Sequence, residues 1–325
     1  MKPFNHIDVK TVHEATTLMK NYQGKARLIA GGTDLLGVLK DKFLPDYPEA
    51  IINIKTIPGL DYIKEDADGL KIGALARLAD IANSPTVKGN YKIIGAAANA
   101  VATTLLRNMA TIGGNLCQDV RCWYYRYPHD LGGRLPCYLK GNKGCKALLG
   151  ENQYHSIFGA SKGGCVSVNP SDIAVALLSL DARVKIAGPR NVRTMPIDDF
   201  FASPGTVLGP EELVMEIQIP RPPDNAKQSF LKFRLRKTID FAIVSVASII
   251  TIGDGVCKDA RIALGAVAPK PIRARSAEQT IKGKAVTESL AEMAGAAAVK
   301  DAKALSKNAC KIQIAKALVK KAITA

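Results

Sequence analysis

The sequence predicts an α+β fold in two parts, a larger one over residues 1–220 and a smaller one over 221–325. Three observations lead there. Segments with helical apolar spacing are interleaved with short runs that read as strands. Two glycine pairs each stand beside an apolar run and a helical pattern. The stretch "IPRPPDNAK" (219–227) breaks the pattern with prolines, and strands rich in β-branched residues follow it.

Composition narrows the class. With 325 residues and 47% hydrophobic content, the chain can bury a substantial core. No apolar run reaches the ~18 residues that suggest a membrane span. The opening "MKPFNHIDVKTVHEA" has no apolar leader core, so a cytoplasmic protein is expected. The net charge is +16, but the lysines are spread along the chain and are densest after residue 299. No basic patch interleaved with aromatics appears, which argues against nucleic acid. A solvated helical face accounts for the charge, or docking to an acidic partner.

The elements follow in order. "VHEATTLMKNY" is helical, with Ala15, Leu18 and Met19 on one face. "ARLIAGGTDLLGVLKDK" reads as strand, glycine turn and helix, "AIINIKTI" as a strand, and "LKIGALARLADIANS" as a strand then a helix. Residues 93–109 read as one alanine-rich helix and "TIGGNL" as a second glycine turn. The region 117–168 is rich in glycine and loop-like, and a loop that long is usually functional. "DIAVALLSLDARVKIAG" restores a helix and a strand, and "ELVMEIQIP" is a strand. Past the prolines come further strands, then a helical tail from about 275.

The glycine turns carry chemistry. In "LIAGGTDLL" (28–36), Gly31 and Gly32 permit positive φ and close backbone approach. Backbone N–H groups in such a turn attract anions. "TIGGN" (111–115) repeats the arrangement, so the two turns could grip one pyrophosphate from both sides. Neither is followed by GK[ST] and neither is GxGxxG, which disfavours P-loop and Rossmann readings.

The cysteines pose a separate question. The chain has seven, and five run C-x4-C-x14-C-x7-C-x19-C from Cys117 to Cys165. Clustered cysteines in a reducing compartment point to metal more than to disulfides. Zinc sites favour paired knuckles, and only Cys117 and Cys122 are that close. An iron–sulfur cubane needs four thiolates and tolerates irregular loops.

"LIAGGTDLL" and "LRNMATIGGNL" resemble the two flavin-binding loops of the medium subunit of the molybdenum hydroxylases. That family includes carbon monoxide dehydrogenase, xanthine dehydrogenase and 4-hydroxybenzoyl-CoA reductase. "NPSDIAVALLSLDA", "KFRLRKTIDFAIVSVA" and "RIALGAVAPKPIRA" are similar to further family blocks in the same order. The resemblance implies an FAD-binding domain of the vanillyl-alcohol-oxidase/PCMH type over 1–220, with subdomains of about 1–57 and 58–220, then a C-terminal α+β domain.

It also implies which residues hold FAD. These are Ile29, Ala30, Gly31, Gly32, Thr33, Asp34, Leu35 and Leu36 in the first loop, and Thr111, Ile112, Gly113, Gly114 and Asn115 in the second. Val101 on the preceding helix, Gln118, Asp172, Val214 and Lys232 match further family contacts. Asp172 also reads as a helix N-cap, and Lys232 as a surface strand lysine. Members similar to 4-hydroxybenzoyl-CoA reductase carry an insert here that binds a 4Fe–4S cluster. The resemblance places Cys122, Cys137, Cys145 and Cys165 as its ligands, with the choice between Cys117 and Cys165 open. Cys117, Cys257 and Cys310 then read as buried thiols. Trp123, Tyr124, Tyr125 and Tyr127 read as packing for the insert, and His155 as a structural histidine.

The implied function is electron transfer, with no general base for substrate turnover in this chain. Implied partners are a molybdopterin-binding large subunit and a 2Fe–2S small subunit in a dimer of heterotrimers, and an external carrier such as ferredoxin. A flavin-free zinc scaffold and a free-standing flavoprotein oxidase are the rival readings.

Overall fold

The computed structural model describes residues 1–131 and 135–324. Strand β1 (Asn5–Asp8), helix α1 (Val12–Asn21), β2 (Ala26–Ile29), α2 (Leu35–Asp41) and β3 (Ala50–Asn53) form a first unit. Its three strands pair in parallel in the order β1-β3-β2. Thr11 caps α1 by accepting from the Glu14 N–H, which fixes the face that buries Ala15 and Met19. Those residues pack with Val9, Ala26 and Ile52 in a core of their own.

A five-stranded antiparallel sheet follows, in the order β4-β5-β8-β6-β7. Its strands are β4 (Ile63–Asp66), β5 (Gly69–Gly73), β6 (Arg183–Ala187), β7 (Val192–Pro196) and β8 (Leu213–Ile219). Between β5 and β6 run α3 (Leu78–Asn83), α4 (Pro85–Asn90), α5 (Lys92–Ala100), α6 (Thr104–Arg107), α7 (Ile112–Leu116), the cysteine region and α8 (Asp172–Ser179). The short α9 (Ile197–Phe200) follows β7.

The third unit is the antiparallel sheet β12-β11-β10-β9. It comprises β9 (Ala226–Phe233), β10 (Val244–Gly253), β11 (Val256–Gly265) and β12 (Ile272–Arg273), backed by α10 (Arg275–Ile281), α11 (Glu288–Ala298) and α12 (Cys310–Thr324). Every residue of β10 from Val244 to Ile250 is buried. Alternation explains this. Val246 and Ile250 join the core with Ala291, Ala315 and Val319, while Ala247 and Ile249 join the core that includes α8. The sheet is thus covered on both faces, and α8 is buried along its whole length. Among the described residues no helix is long and apolar enough to cross a membrane.

Two expectations change. The helix expected over 93–109 breaks at Val101, which is extended, and Ala102, which has φ +44°. Thr103 then caps a new turn by accepting from the Leu106 N–H. The break is anchored from outside: Ile239 N–H donates to the Ala102 carbonyl and Arg107 to that of Val101. "TIGGNL" is a short helix capped by Thr111 rather than an open turn. Its Oγ1 accepts from Gly114 N–H at 3.2 Å, and this cap overrides two poor helix formers.

Candidate functional site

The first glycine turn lies between β2 and α2, where the parallel sheet ends. Gly32 has φ +72°, with Ile29 and Leu36 side chains on either side of it. A Cβ on Gly31 would stand 2.1 Å from the Met109 carbonyl oxygen, so the loop backbone rests directly on the residue before Ala110. Leu36 N–H bonds the Gly32 carbonyl and Val38 N–H that of Asp34. Among the described residues none accepts from the N–H groups of Gly31, Gly32, Thr33, Asp34 or Leu35. Such a run of unpaired donors on half-exposed backbone is what an anionic ligand needs.

The second turn is different. Ile112 N–H donates to Ala76, Gly113 to Ala74, Gly114 to the Thr111 side chain and Asn115 to the Thr111 carbonyl. Its amides are engaged, so this turn forms a wall and the first turn carries the unpaired donors. Thr111, Ile112 and Asn115 are buried, and Gly114 is exposed. Ala74 also donates to the Met215 carbonyl, which ties the turn to β8 beside Val214. The Val214 side chain itself lies in the core. Gln118 donates to the Asn115 carbonyl and accepts from Arg121.

Asn115 reaches further. Its Oδ1 accepts from Ser171 Oγ at 2.6 Å, and Ser171 is the N-cap of α8, accepting from Ala174 N–H. Asp172 is therefore not the cap. Its carboxylate meets Lys232 Nζ at 2.6 Å, with both side chains only 4% exposed. The Lys232 side chain is thus enclosed rather than on the surface, and it also donates to the Ala100 carbonyl next to Val101. Burial pushes the Asp172 carboxyl up, against the pull of the Lys232 ammonium. Among the described residues Asp172 Oδ1 has no hydrogen-bond partner, a buried acceptor beside the Ser171 that holds Asn115 of the second turn.

Asp34 links this cradle to the cysteine region. One carboxylate oxygen meets Arg121 and Arg126 at 2.9 Å each, and the other accepts from Asp119 N–H and Arg126. Burial alone would raise its pKa, but the two guanidiniums hold it below the usual aspartate range. Arg121 also lies 4.3 Å beneath the Phe241 ring. Tyr125 packs edge-on against Phe43 and donates to Asp119, while Trp123 is exposed.

Charge on Cys137 or Cys145 is felt at Cys122, and charge on Cys165 or Cys145 is felt at Cys137. Cys137 and Cys145 also bridge as an antiparallel pair. Burial pushes the Cys122 thiol up to about 12. Cys310 is exposed, contrary to expectation, where it begins α12; Cys117 is exposed as a residue, yet burial of its thiol pushes the pKa up to about 12; Cys257 is buried. Among the described residues no three His, Cys, Asp or Glu side chains stand ready to hold a single metal ion.

Sequence reasoning missed the roles of Arg121, Arg126, Asn308 and Lys311. His155, read as a structural histidine that could also sit near the cluster, has its Nε2 3.2 Å from Cys122 Sγ. Lys311 is fully buried, and its ammonium donates to the carbonyls of Tyr154, His155 and Ala266. Burial draws its pKa down to about 7. No local pattern marks these residues; a lysine in a buried helix stripe was the one visible anomaly.

Known proteins resemble this chain along nearly its whole length. Residues 2–222 match the family described as the FAD binding domain in molybdopterin dehydrogenase, and 229–325 the CO dehydrogenase flavoprotein C-terminal domain. The chain is 39% identical over 287 residues to the aldehyde oxidoreductase FAD-binding subunit of Escherichia coli (strain K12), covering 86% of each. It is 27% identical to the carbon monoxide dehydrogenase medium chain of Hydrogenophaga pseudoflava, covering 91% of this chain and 86% of that one. A solved carbon monoxide dehydrogenase from that organism, lacking the Mo-pyranopterin moiety of its cofactor, superposes with a TM-score of 0.80 at 27% identity, covering 100% of this chain and 98% of that one.

Proposed function

This chain belongs to the family of FAD-binding domains of the molybdopterin dehydrogenases, and from that premise we propose that it relays electrons between FAD, a 4Fe–4S cluster on its cysteine insert and an external carrier. It is an oxidoreductase subunit, the FAD-binding member of a multi-subunit molybdenum hydroxylase or dehydrogenase. Its partners are a molybdopterin-binding large subunit and a 2Fe–2S small subunit, paired as a dimer of heterotrimers. The net charge of +16 favours an acidic carrier such as ferredoxin. Substrate chemistry belongs to the molybdenum subunit.

The observation that carries the reading is the shared anchor at Asp34. This residue of the first glycine loop binds the two arginines that flank Cys122, so both redox groups would stand on one joint. The residues fit each group. Unpaired N–H groups from Gly31 to Leu35 would hold the FAD pyrophosphate, with Ile29, Ala30 and Leu36 around it. Thr111 to Asn115 form the opposing wall, with Val101, Gln118 and Val214 at its margins. The orphaned Asp172 oxygen, fixed by Lys232, offers an acceptor to the flavin. Cys122, Cys137, Cys145 and Cys165 would ligate the cluster, since they share one electrostatic neighbourhood. When bound, FAD supplies one- and two-electron chemistry and the cluster one-electron chemistry. The protein's own work is to hold both in a fixed relation and keep water out. On this reading residues 1–220, with the insert over 117–168, carry both groups, and 221–325 brace them.

The test is iron, acid-labile sulfide, zinc and flavin per chain in complex purified without air. About four irons, four sulfides and one FAD are expected, with a spectrum bleached by dithionite. Flavin with zinc and no iron would make the insert a structural clip. No flavin would remove the function proposed.

A further inference from the structure

We infer that His155 sets the reduction potential of the cysteine-bound centre by donating its Nε2 proton to the Cys122 sulfur. The inference rests on the cluster reading above and goes beyond it. Nε2 lies 3.2 Å from Cys122 Sγ. His155 is 2% exposed, and among the described residues its Nδ1 makes no hydrogen bond, although the Asn152 backbone also acts on the ring. A metal-bound thiolate has no proton to give, so Nε2 must be the donor and Nδ1 the bare nitrogen. Cys122 thus faces the imidazole, while Cys165 has Ser167 Oγ at 3.3 Å.

The ring is held from behind by the C-terminal unit. Asn308 Nδ2 donates to the carbonyls of His155 and Ser156, both at 3.1 Å. Lys311 Nζ donates to Tyr154 and His155 carbonyls at 3.1 and 3.0 Å. His155 N–H bonds the Asn152 carbonyl, and Asn152 in turn accepts from Lys307 N–H. Trp123 and Tyr124 rings stand 6.2 and 6.3 Å from the imidazole. Asn308 and Lys311 are positioning residues acting through His155. One electron on the centre adds one negative charge shared among its sulfurs, and the proton stays on Nε2. A donor at the sulfur favours the more negative state, so it raises the potential.

The experiment is a redox titration of the intact complex followed by EPR, with iron counted in each sample. His155→Leu should lower the midpoint by about tenfold in the reduction equilibrium, about 59 mV for one electron, at unchanged iron. His155→Gln, which keeps a donor near the same place, should restore most of the shift. Asn308→Ala should lower the midpoint less, and add nothing in the His155→Leu background. In wild type with 15N-labelled histidine, pulsed EPR should show a weak nitrogen coupling to the reduced centre. An unchanged midpoint in His155→Leu at full iron overturns the inference. So does loss of iron in both substitutions, which would make His155 a ligand or a prop, or absence of the nitrogen coupling. A wild-type complex with no iron fails the cluster reading first, and the inference falls with it.

Discussion

The glycine cradle and the cysteine insert are both irregular backbone, yet they are held in opposite ways. The cradle is set by regular elements: β2 and α2 present one turn, Ala74 and Ala76 engage the other, and Gly31 is packed against Met109. The insert has little core of its own, chiefly Val120, Tyr125 and Cys137 against Val38 and Phe43. It is pinned instead by side chains, Asp34 at one end and the Asn308–Lys311 clasp at the other. Backbone scaffolding makes a site sensitive to a change of glycine, and side-chain pinning makes it sensitive at its anchors.

The strongest way to break this contrast is in the cradle's one buried ion pair. Lys232→Met leaves the Asp172 carboxylate alone at 4% exposure and should cost about 3–5 kcal/mol, read from denaturant midpoints. Gly31→Ala should cost about 1–3 kcal/mol through overpacking and release flavin while the insert keeps its iron. Measured flavin and iron contents that fall together in this variant would erase the distinction. Asp34→Asn sits on the joint, so both contents should fall, with about 1–3 kcal/mol lost as two guanidiniums lose their charged partner.

Acid probes the same joint. The Asp34 carboxyl is ionised more readily in the folded chain than the usual 3.8, so its contribution is complete above that value and fades as pH falls through the lower folded value. Acid unfolding followed by far-UV circular dichroism should therefore be less steep below pH 3.8 in Asp34→Asn. The smallest effect is at Cys117, which is not among the four proposed ligands. Cys117→Ser should stay within about 0.5 kcal/mol and keep all its iron, whereas Cys165→Ser should lose it.

The cradle was legible in the sequence because its information is local. A glycine pair between a strand and a helix names its own geometry, and the ordered family blocks carried the rest. Even there, the Thr111 cap was missed, since a threonine three residues before a glycine amide reads as an open turn until the hydrogen bond is seen. Asp172 was read as a cap because Ser171 stands beside it with the same preference. The insert was legible only as a set of cysteines. Its anchors couple positions 85 to 157 residues apart, from Asp34 with Asp119 to Lys311 with Tyr154, and no local pattern encodes such pairs.

The clasp over His155 also has a place in time. Asn308 follows His155 by 153 positions, so at ~5–20 residues per second the ribosome delivers it roughly 8–30 s later. Through that interval the thiols have been made but the segment that closes behind them has not. The order of synthesis itself leaves these thiols open until the C-terminal segment that covers them has been made.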